Sequence, residues 1–482
     1  MKKSFTALEY HQDTKFYPAD YRYDGSTETG WTIYRNGQPH LTLPRGYLML
    51  ETLCCGICST DIARHHLPFP LPQITGHEVV VLHNGNMAVV DINASHKQTG
   101  EAGGCFYCTH GLENHCPDRL TLGIDRLPGG FAPYILVPQN AIIPLSENFD
   151  MKLASLIEPF AAALHAVETE NIRSGDNVAI VGPRRLGGLL ILALNLWRKK
   201  HKLNFTITAI VRSSNVRSLC KLAGADKIID VDNVMPRSYD VVFDTSGSVS
   251  GFELALSLTN KNLHVKSTNG QAVFELKYLS EMVIDELSLL PLLSLSGLGL
   301  SASGLADDVV ENDRTNIIVE PCLNGIQLIE LKKKFPYAVF VKISVGKLEK
   351  MVDSYYRNFD AAIGASFDFI NAVIKGKSLK PKASLFLAEN SVSPSALQLA
   401  INDGININVS RCGNFLAAIA LFQENRSFSE KFAENFVSEI YSISNLEDAF
   451  ECSKYDKQAI KVLVSHIPVD KENVNQLDQI SS

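Results

Sequence analysis

"VAIVGPRRLGGLL", Val178 to Leu190, carries an apolar, partly β-branched run into a leucine-rich one through a turn bounded by Gly182 and Gly187. Val178 to Val181 followed by Gly-Pro reads as a buried strand with an abrupt end. From Leu186 the chain stays largely apolar through Trp197 and closes on Arg198, Lys199 and Lys200, basic residues that suit a helix C-terminus. The same rhythm continues in "FTITAIV", "VRSLCKLAG", "DKIID", "YDVVFD", "GFELALSLT" and "NLHVKS". Strands alternating with helices predict an α/β unit, a parallel sheet covered on both faces and doubly wound.

Upstream the pattern differs. Residues 1–146 hold short strand-like runs such as "GYLMLETLC", "HEVVVLH" and "AVVDI", broken by Gly, Pro and Asn, and predict a β-rich domain. A helix over Lys152 to Glu170 leads into the doubly wound domain, taken as 147–290. Residues 291–408 alternate again and form an α/β insertion. Within it "FDAAIGASFDFINAVI" loosely echoes "YDVVFDTSGSVSGFELAL", a pattern that any two strand-turn-helix units share. Residues 409–482 complete the doubly wound domain, return to the first domain and end in a polar tail, "VDKENVNQLDQISS".

The 482 residues are too many for one core. A net charge of -7 argues against a general nucleic-acid or anionic-membrane binder. "MKKSFTALEYHQD" has no apolar signal region, so a cytoplasmic location is expected. Leu287 to Ala306 carries no charge, but its Pro291, glycines and serines favour a buried strand and loop over a membrane span. Cysteines grouped as Cys54, Cys55, Cys58 and as Cys105, Cys108, Cys116 in such a chain read as metal or catalytic groups rather than disulfides.

Cys58 in "CCGICSTDI" and His77 in "ITGHEVV" are both suited to zinc, and Glu158 in "LIEPF" offers a third ligand. Three protein ligands and an open place make a catalytic zinc. Taken singly, each is as well explained as a core residue.

"CGICSTD", "GHE", "GGCFYCTHGLENHC", "GGFAPYILVP" and "IEPFAAALHAV" occur in this order. Together they resemble the zinc-containing medium-chain dehydrogenase/reductase family, closest to its polyol, sugar and threonine dehydrogenase branch. The similarity runs from about Leu48 to Leu290 and resumes near Ser410 in "SRCGNF". It implies a GroES-like catalytic domain and a Rossmann domain, with Cys58, His77 and Glu158 as ligands of a catalytic Zn2+. It further implies that Glu78 stands behind the metal, that Asp61 supports the ligands by hydrogen bonding, and that Thr60 relays the substrate proton, with His65 or His66 beyond it. In the family's structural zinc lobe, Cys105, Cys108 and Cys116 match the last three of four cysteines. The first falls on Ala102; Glu101 is the nearest substitute, and His96, His110 and His115 are other donors nearby.

The dinucleotide fingerprint G-x-G-x-x-G keeps Gly182 and Gly187 here, but Arg184 replaces its middle glycine, with Arg185 beside it. Bulk is added where a pyrophosphate would approach, together with charge that can pair with it. The acid that binds a ribose 2′-hydroxyl in NAD-binding relatives falls on Val211, followed by Arg212 and Ser213. That balance favours NADP over NAD. The expected function is hydride transfer between NAD(P) and a secondary alcohol, polyol or sugar-like small molecule, in a homodimer or homotetramer. Alternatives are a binding or regulatory protein with a degraded cofactor site, and a zinc-dependent non-redox enzyme.

Overall fold

In a computed structural model of the chain, Asn177–Val181 (β1) is a strand whose last four residues are buried. The structure describes residues 1–100, 104–267, 272–292, 315–323, 329, 331–332, 338–350, 356–388 and 395–467. β1 enters helix Arg185–His201 (α1) through the glycine-bounded turn. Gly182 has φ +82°, a backbone region that other residues rarely adopt. A Cβ on Gly187 would stand 2.5 Å from the Gly182 carbonyl oxygen and 2.6 Å from Thr245 Oγ1, so only hydrogen fits there. The last turn of α1 carries Arg198, Lys199, Lys200 and His201, as the helix dipole favours.

β1 pairs in parallel with Thr206–Val211 (β2) and Tyr239–Asp244 (β4). Lys227–Asp230 (β3) and Thr259–Val265 (β5) flank these. The doubly wound sheet does not end there. Among the described residues, Ser288–Leu292 (β6), Asn316–Val319 (β7), Val339–Lys342 (β8), Phe359–Gly364 (β9), Leu379–Ala388 (β10) and Asn406–Val409 (β11) extend it to eleven strands, ordered β3-β2-β1-β4-β5-β11-β6-β10-β9-β7-β8.

The segment expected as a separate insertion, 291–408, therefore continues the sheet. One hydrophobic core runs through Val181, Val242, Leu263, Leu289, Ile318, Phe369, Leu385 and Ile407. β7 to β10 also repeat β1, β2, β4 and β5 in spatial order. The resemblance between "YDVVFD" and "FDAAIG" is part of that repeat. The backbone N–H of Asn177 donates to Asp240 at 2.9 Å, and that of Asn316 to Asp360 at 2.7 Å. Lys261 pairs with Asp240 at 2.8 Å, and Lys380 with Asp360 at 2.7 Å. In both halves the register slips after the first strand residue, at Tyr239 and at Phe359. Ser248 and Ser366 then cap the following helices, Val249–Leu258 (α2) and Phe367–Lys375 (α3).

The two halves exchange their last strands. β6 follows the first half in sequence but lies parallel to β10 of the second. β11 follows the second half but lies parallel to β5 of the first. They meet antiparallel at Leu289 and Ile407. Of the charge-free stretch 287–306, β6 is strand as expected; residues 293–306 lie outside the described residues, as does the polar tail. Among the described residues no helix is long and apolar enough to cross a membrane.

This sheet belongs to a unit spanning His165–Arg411; the other unit combines Met1–Leu164 with Cys412–Ser482. The β-rich unit thus takes in the Lys152 region and all of the chain after Cys412, more than the expected 1–146. It opens with an antiparallel sheet of Lys2–Tyr10, Phe16–Ser26, Gly30–Arg35 and Gln38–Leu43. Its main sheet centres on Tyr47–Gly56, flanked by Glu78–His83, Tyr134–Pro138 and Lys461–Ser465. The last of these comes from the far end of the chain, bringing residues near 58 and 461 together.

Candidate metal centre

The strand Tyr47–Gly56 ends, and Cys58 follows at the start of a short helix, Ser59–Ile62. Asp61 in that helix turns back, and its Oδ2 accepts the Cys58 backbone N–H at 2.9 Å. Its Oδ1 accepts the Gly76 N–H at 3.1 Å and lies 3.6 Å from His77 Nδ1. One buried carboxylate therefore holds both segments that carry the expected ligands. Glu78 opens the next strand, opposite Gly56. Its carboxylate touches the ammonium of Lys461, which also donates to the Ile57 carbonyl at 3.1 Å.

Donor atoms of Cys58, His77 and Glu78 all lie within 4.8 Å of one another. Thr60 Oγ1 is 3.5 Å from Cys58 Sγ. Burial by itself would raise the Cys58 thiol, but the facing His77 and the Lys461 charge bring it below the ordinary thiol range. Burial opposes charge on His77, yet Asp61 and Cys58 hold it well above the usual imidazole range. The Cys58 thiolate thus faces a protonated His77, whose proton a bound cation would replace, and the buried His77 Nδ1 makes no hydrogen bond. A thiolate, an imidazole and a carboxylate make a borderline donor set that fits Zn2+.

A second cluster joins His96, Cys105, Cys108 and Cys116, again within 4.8 Å. Cys105 and Cys116 sulfurs are 3.8 Å apart, and His96 Nδ1 is 3.3 Å from Cys116 Sγ. Sulfurs about 2.3 Å from a tetrahedral zinc stand ~3.8 Å from each other. His96, one of the donors the sequence offered beside Glu101, is the fourth member of this group; Glu101 lies outside the described residues. His96 stands well before Cys105, outside the regular spacing of the cysteine motif, so spacing alone could not select it.

At the glycine-bounded turn, Thr245 Oγ1 bonds the carbonyls of Val181 and Gly182 at 3.0 and 2.9 Å. Arg184 precedes α1, and Arg185 opens it, half-buried like Arg184. β2 ends on Val211, with Arg212 and Ser213 exposed just past it. Ser213 caps the next turn, and Arg212 reaches Ser250 Oγ at 3.5 Å. Asp244 ends β4 and is buried, which raises its carboxyl to about 6.

Residues 44–147 match the alcohol dehydrogenase GroES-like domain family. A sorbitol dehydrogenase of Halalkalibacterium halodurans is 28% identical over 270 residues, covering 52% of this chain and 76% of that protein. An L-threonine 3-dehydrogenase of Chelativorans sp. is 26% identical over 275 residues, covering 48% and 78%. Among solved structures, an alcohol dehydrogenase from Thermotoga maritima shares the fold at TM-score 0.52 and 13% identity, over 96% of this chain and 99% of that one. These likenesses support the zinc-containing medium-chain dehydrogenase/reductase family.

The grouped donors differ from the expected ligand set in one member. Cys58 and His77 share a cluster, but the carboxylate that joins them is Glu78, expected behind the metal. Glu158, expected as third ligand, stands half-buried in the first turn of helix Ile157–Thr169 and is not in the cluster. Glu78 follows His77 directly, so its strand pairing with Gly56 sets its reach. His65 Nδ1 is 3.4 Å from the Tyr10 hydroxyl, and its ring lies against His66. Lys461 was missed. Its signal was a single cation in the apolar run "AIKVLVS". The dehydrogenases among its relatives support an alcohol dehydrogenase-like oxidoreductase.

Proposed function

We propose that the chain transfers a hydride between NADP and the carbinol carbon of a secondary alcohol, polyol or sugar-like substrate. The convergence of Cys58, His77 and Glu78 beside the Thr60 hydroxyl carries this reading. These three side chains would hold a zinc ion, with Glu158 in reserve for the same centre. Zinc bound there supplies Lewis acidity that lowers the pKa of an alcohol, and the nicotinamide supplies the hydride acceptor.

The chain's own residues do the rest. Asp61 holds the Cys58 backbone and faces His77, keeping both donors aimed. Thr60 Oγ1 takes the substrate hydroxyl proton and passes it outward. The N-terminus of α1, with Arg184 and Arg185, offers positive charge to a pyrophosphate. Arg212 and Ser213 offer donors to a 2′-phosphate, and Val211 leaves no carboxylate to repel it. The polyol, threonine and butanediol dehydrogenases among the relatives support the substrate class.

The test combines metal analysis with turnover of a polyol and sugar-alcohol panel in NADP and NAD. The expected outcome is zinc in the purified protein, activity with NADP exceeding that with NAD, and loss of activity in Cys58→Ser. Arg212→Ala should narrow the NADP preference about tenfold or more, the loss of one charge-assisted phosphate contact. Zinc without response to either dinucleotide would sink hydride transfer and leave a non-redox or binding role for the Arg184-bearing turn.

A further inference from the structure

Lys461 opens the strand Lys461–Ser465, and every residue of that strand is buried. Its side chain is 4% exposed, and its ammonium touches Glu78 Oε2 while donating to the Ile57 carbonyl. The Ile57 backbone N–H donates in turn to the Val462 carbonyl at 2.9 Å, so the ladder continues up to the residue before Cys58. A lysine so deeply buried needs a charged partner. Its partner here is the carboxylate of the metal cluster.

Gly56 makes the room. A Cβ there would stand 2.2 Å from Glu78 Oε2, 2.8 Å from Lys461 Cε and 3.0 Å from Lys461 Nζ. Any larger residue would push the carboxylate and the ammonium off their contact. The ion pair and the absent side chain are therefore one arrangement, built from three distant stretches.

The negative groups facing this site are the Cys58 thiolate, the Glu78 carboxylate and, on its other side, Asp61. Two anionic ligands balance a divalent ion. A fixed ammonium on one of them withdraws electron density and engages one of its two oxygens. Such a carboxylate binds metal weakly and through a single oxygen, leaving a coordination place for substrate.

We propose that Lys461 is a positioning residue that shares the Glu78 carboxylate with the bound metal, loosening its grip and holding one coordination place open. The proposal rests on the Cys58–His77–Glu78 metal reading above. Lys461→Met keeps the buried aliphatic length and removes the charge, freeing both Glu78 oxygens.

The test uses full-length protein loaded with Co2+ at the catalytic centre, and reads its visible absorption and the rate of metal release to a chelator. Lys461→Met is expected to weaken the visible bands, as coordination rises with the second Glu78 oxygen. It is also expected to slow release about tenfold, the scale on which partners of metal ligands act. Lys461→Arg, which keeps the charge, should stay nearer the unaltered protein. Unchanged spectrum and release rate in a cobalt-bearing Lys461→Met protein overturn the proposal. Should that variant not fold, Gly56→Ala decides, because its Cβ displaces the same carboxylate: an altered cobalt spectrum supports the proposal, an unaltered one overturns it. Failure of the unaltered protein to bind Co2+ or Zn2+ at this centre overturns the metal reading itself, a separate result.

Discussion

The Asp61 carboxylate lies 3.6 Å from His77 Nδ1, with its other oxygen on the Cys58 backbone N–H at 2.9 Å. It is 1% exposed and touches both ligand-bearing segments without joining the ligand cluster. Its replacement tests the support apart from the ligands. Asp61→Asn keeps a short polar group but loses the charge facing His77. Metal retention at this centre should fall about 10–100-fold, read as the free-zinc concentration at half occupancy in a buffered series. Retention within twofold of the unaltered protein would remove Asp61 from this role.

The His96–Cys105–Cys108–Cys116 cluster has no open ligand place when all four donors bind, the arrangement of a structural zinc. The purified protein should hold metal at both clusters. His96→Ala should lose the metal of this one and lower the melting temperature, while leaving the Cys58 centre loaded. Full metal content in His96→Ala would return the fourth place to another donor.

Asp244 supplies a pH prediction. Its folded carboxyl is raised by burial to about 6, against 3.8 for the free group, so the folded state binds the proton more tightly than the unfolded chain. The stability this adds is fully present below about pH 4 and declines as pH rises through 6. The difference is worth about 3 kcal/mol at most. Asp244→Asn retains an acceptor for the Ser246 N–H, bonded at 2.9 Å, and removes the ionisation. Urea unfolding should show the variant equal to the parent near pH 4 and more stable at pH 7. Parallel curves across that range would refute the assignment.

Glu320 follows β7 as Gly182 follows β1. Its carboxylate accepts the backbone N–H of Ala365 at 2.6 Å and of Ser366 at 3.0 Å, and the Ser366 hydroxyl at 2.7 Å. The second half thus fills the N-terminus of α3 with its own anion, which the helix dipole favours. Glu320→Ala should cost about 1–3 kcal/mol by leaving those donors unpaired. Hydrogen exchange should show the loss concentrated at the start of α3. Unchanged protection there would mean that solvent replaces the carboxylate without cost.

Much of the fold was legible because its signals are local. The apolar run before Gly182, the basic end of α1 and the Cys58–Asp61 and Gly76–Glu78 motifs each depend on residues close in sequence. The echo between Tyr239–Asp244 and Phe359–Gly364 was visible as well, but its meaning was not. Matched features in matched places of one sheet, such as the Asp240–Lys261 and Asp360–Lys380 pairs, distinguish a repeat from coincidence.

Local pattern determined which segments are strands and helices, and which cysteines and histidines are candidates for metal binding, because periodicity and turn residues act over a few positions. Tertiary structure alone decided that β6 and β11 exchange partners, that Glu78 rather than Glu158 joins Cys58 and His77, that His96 completes the cysteine cluster, and that Lys461 meets Glu78. Most of these are meetings of side chains or strands far apart in the chain. An apolar strand such as "SLLPL" carries no mark of the neighbour it will pair with, since backbone hydrogen bonds are the same whichever partner supplies them.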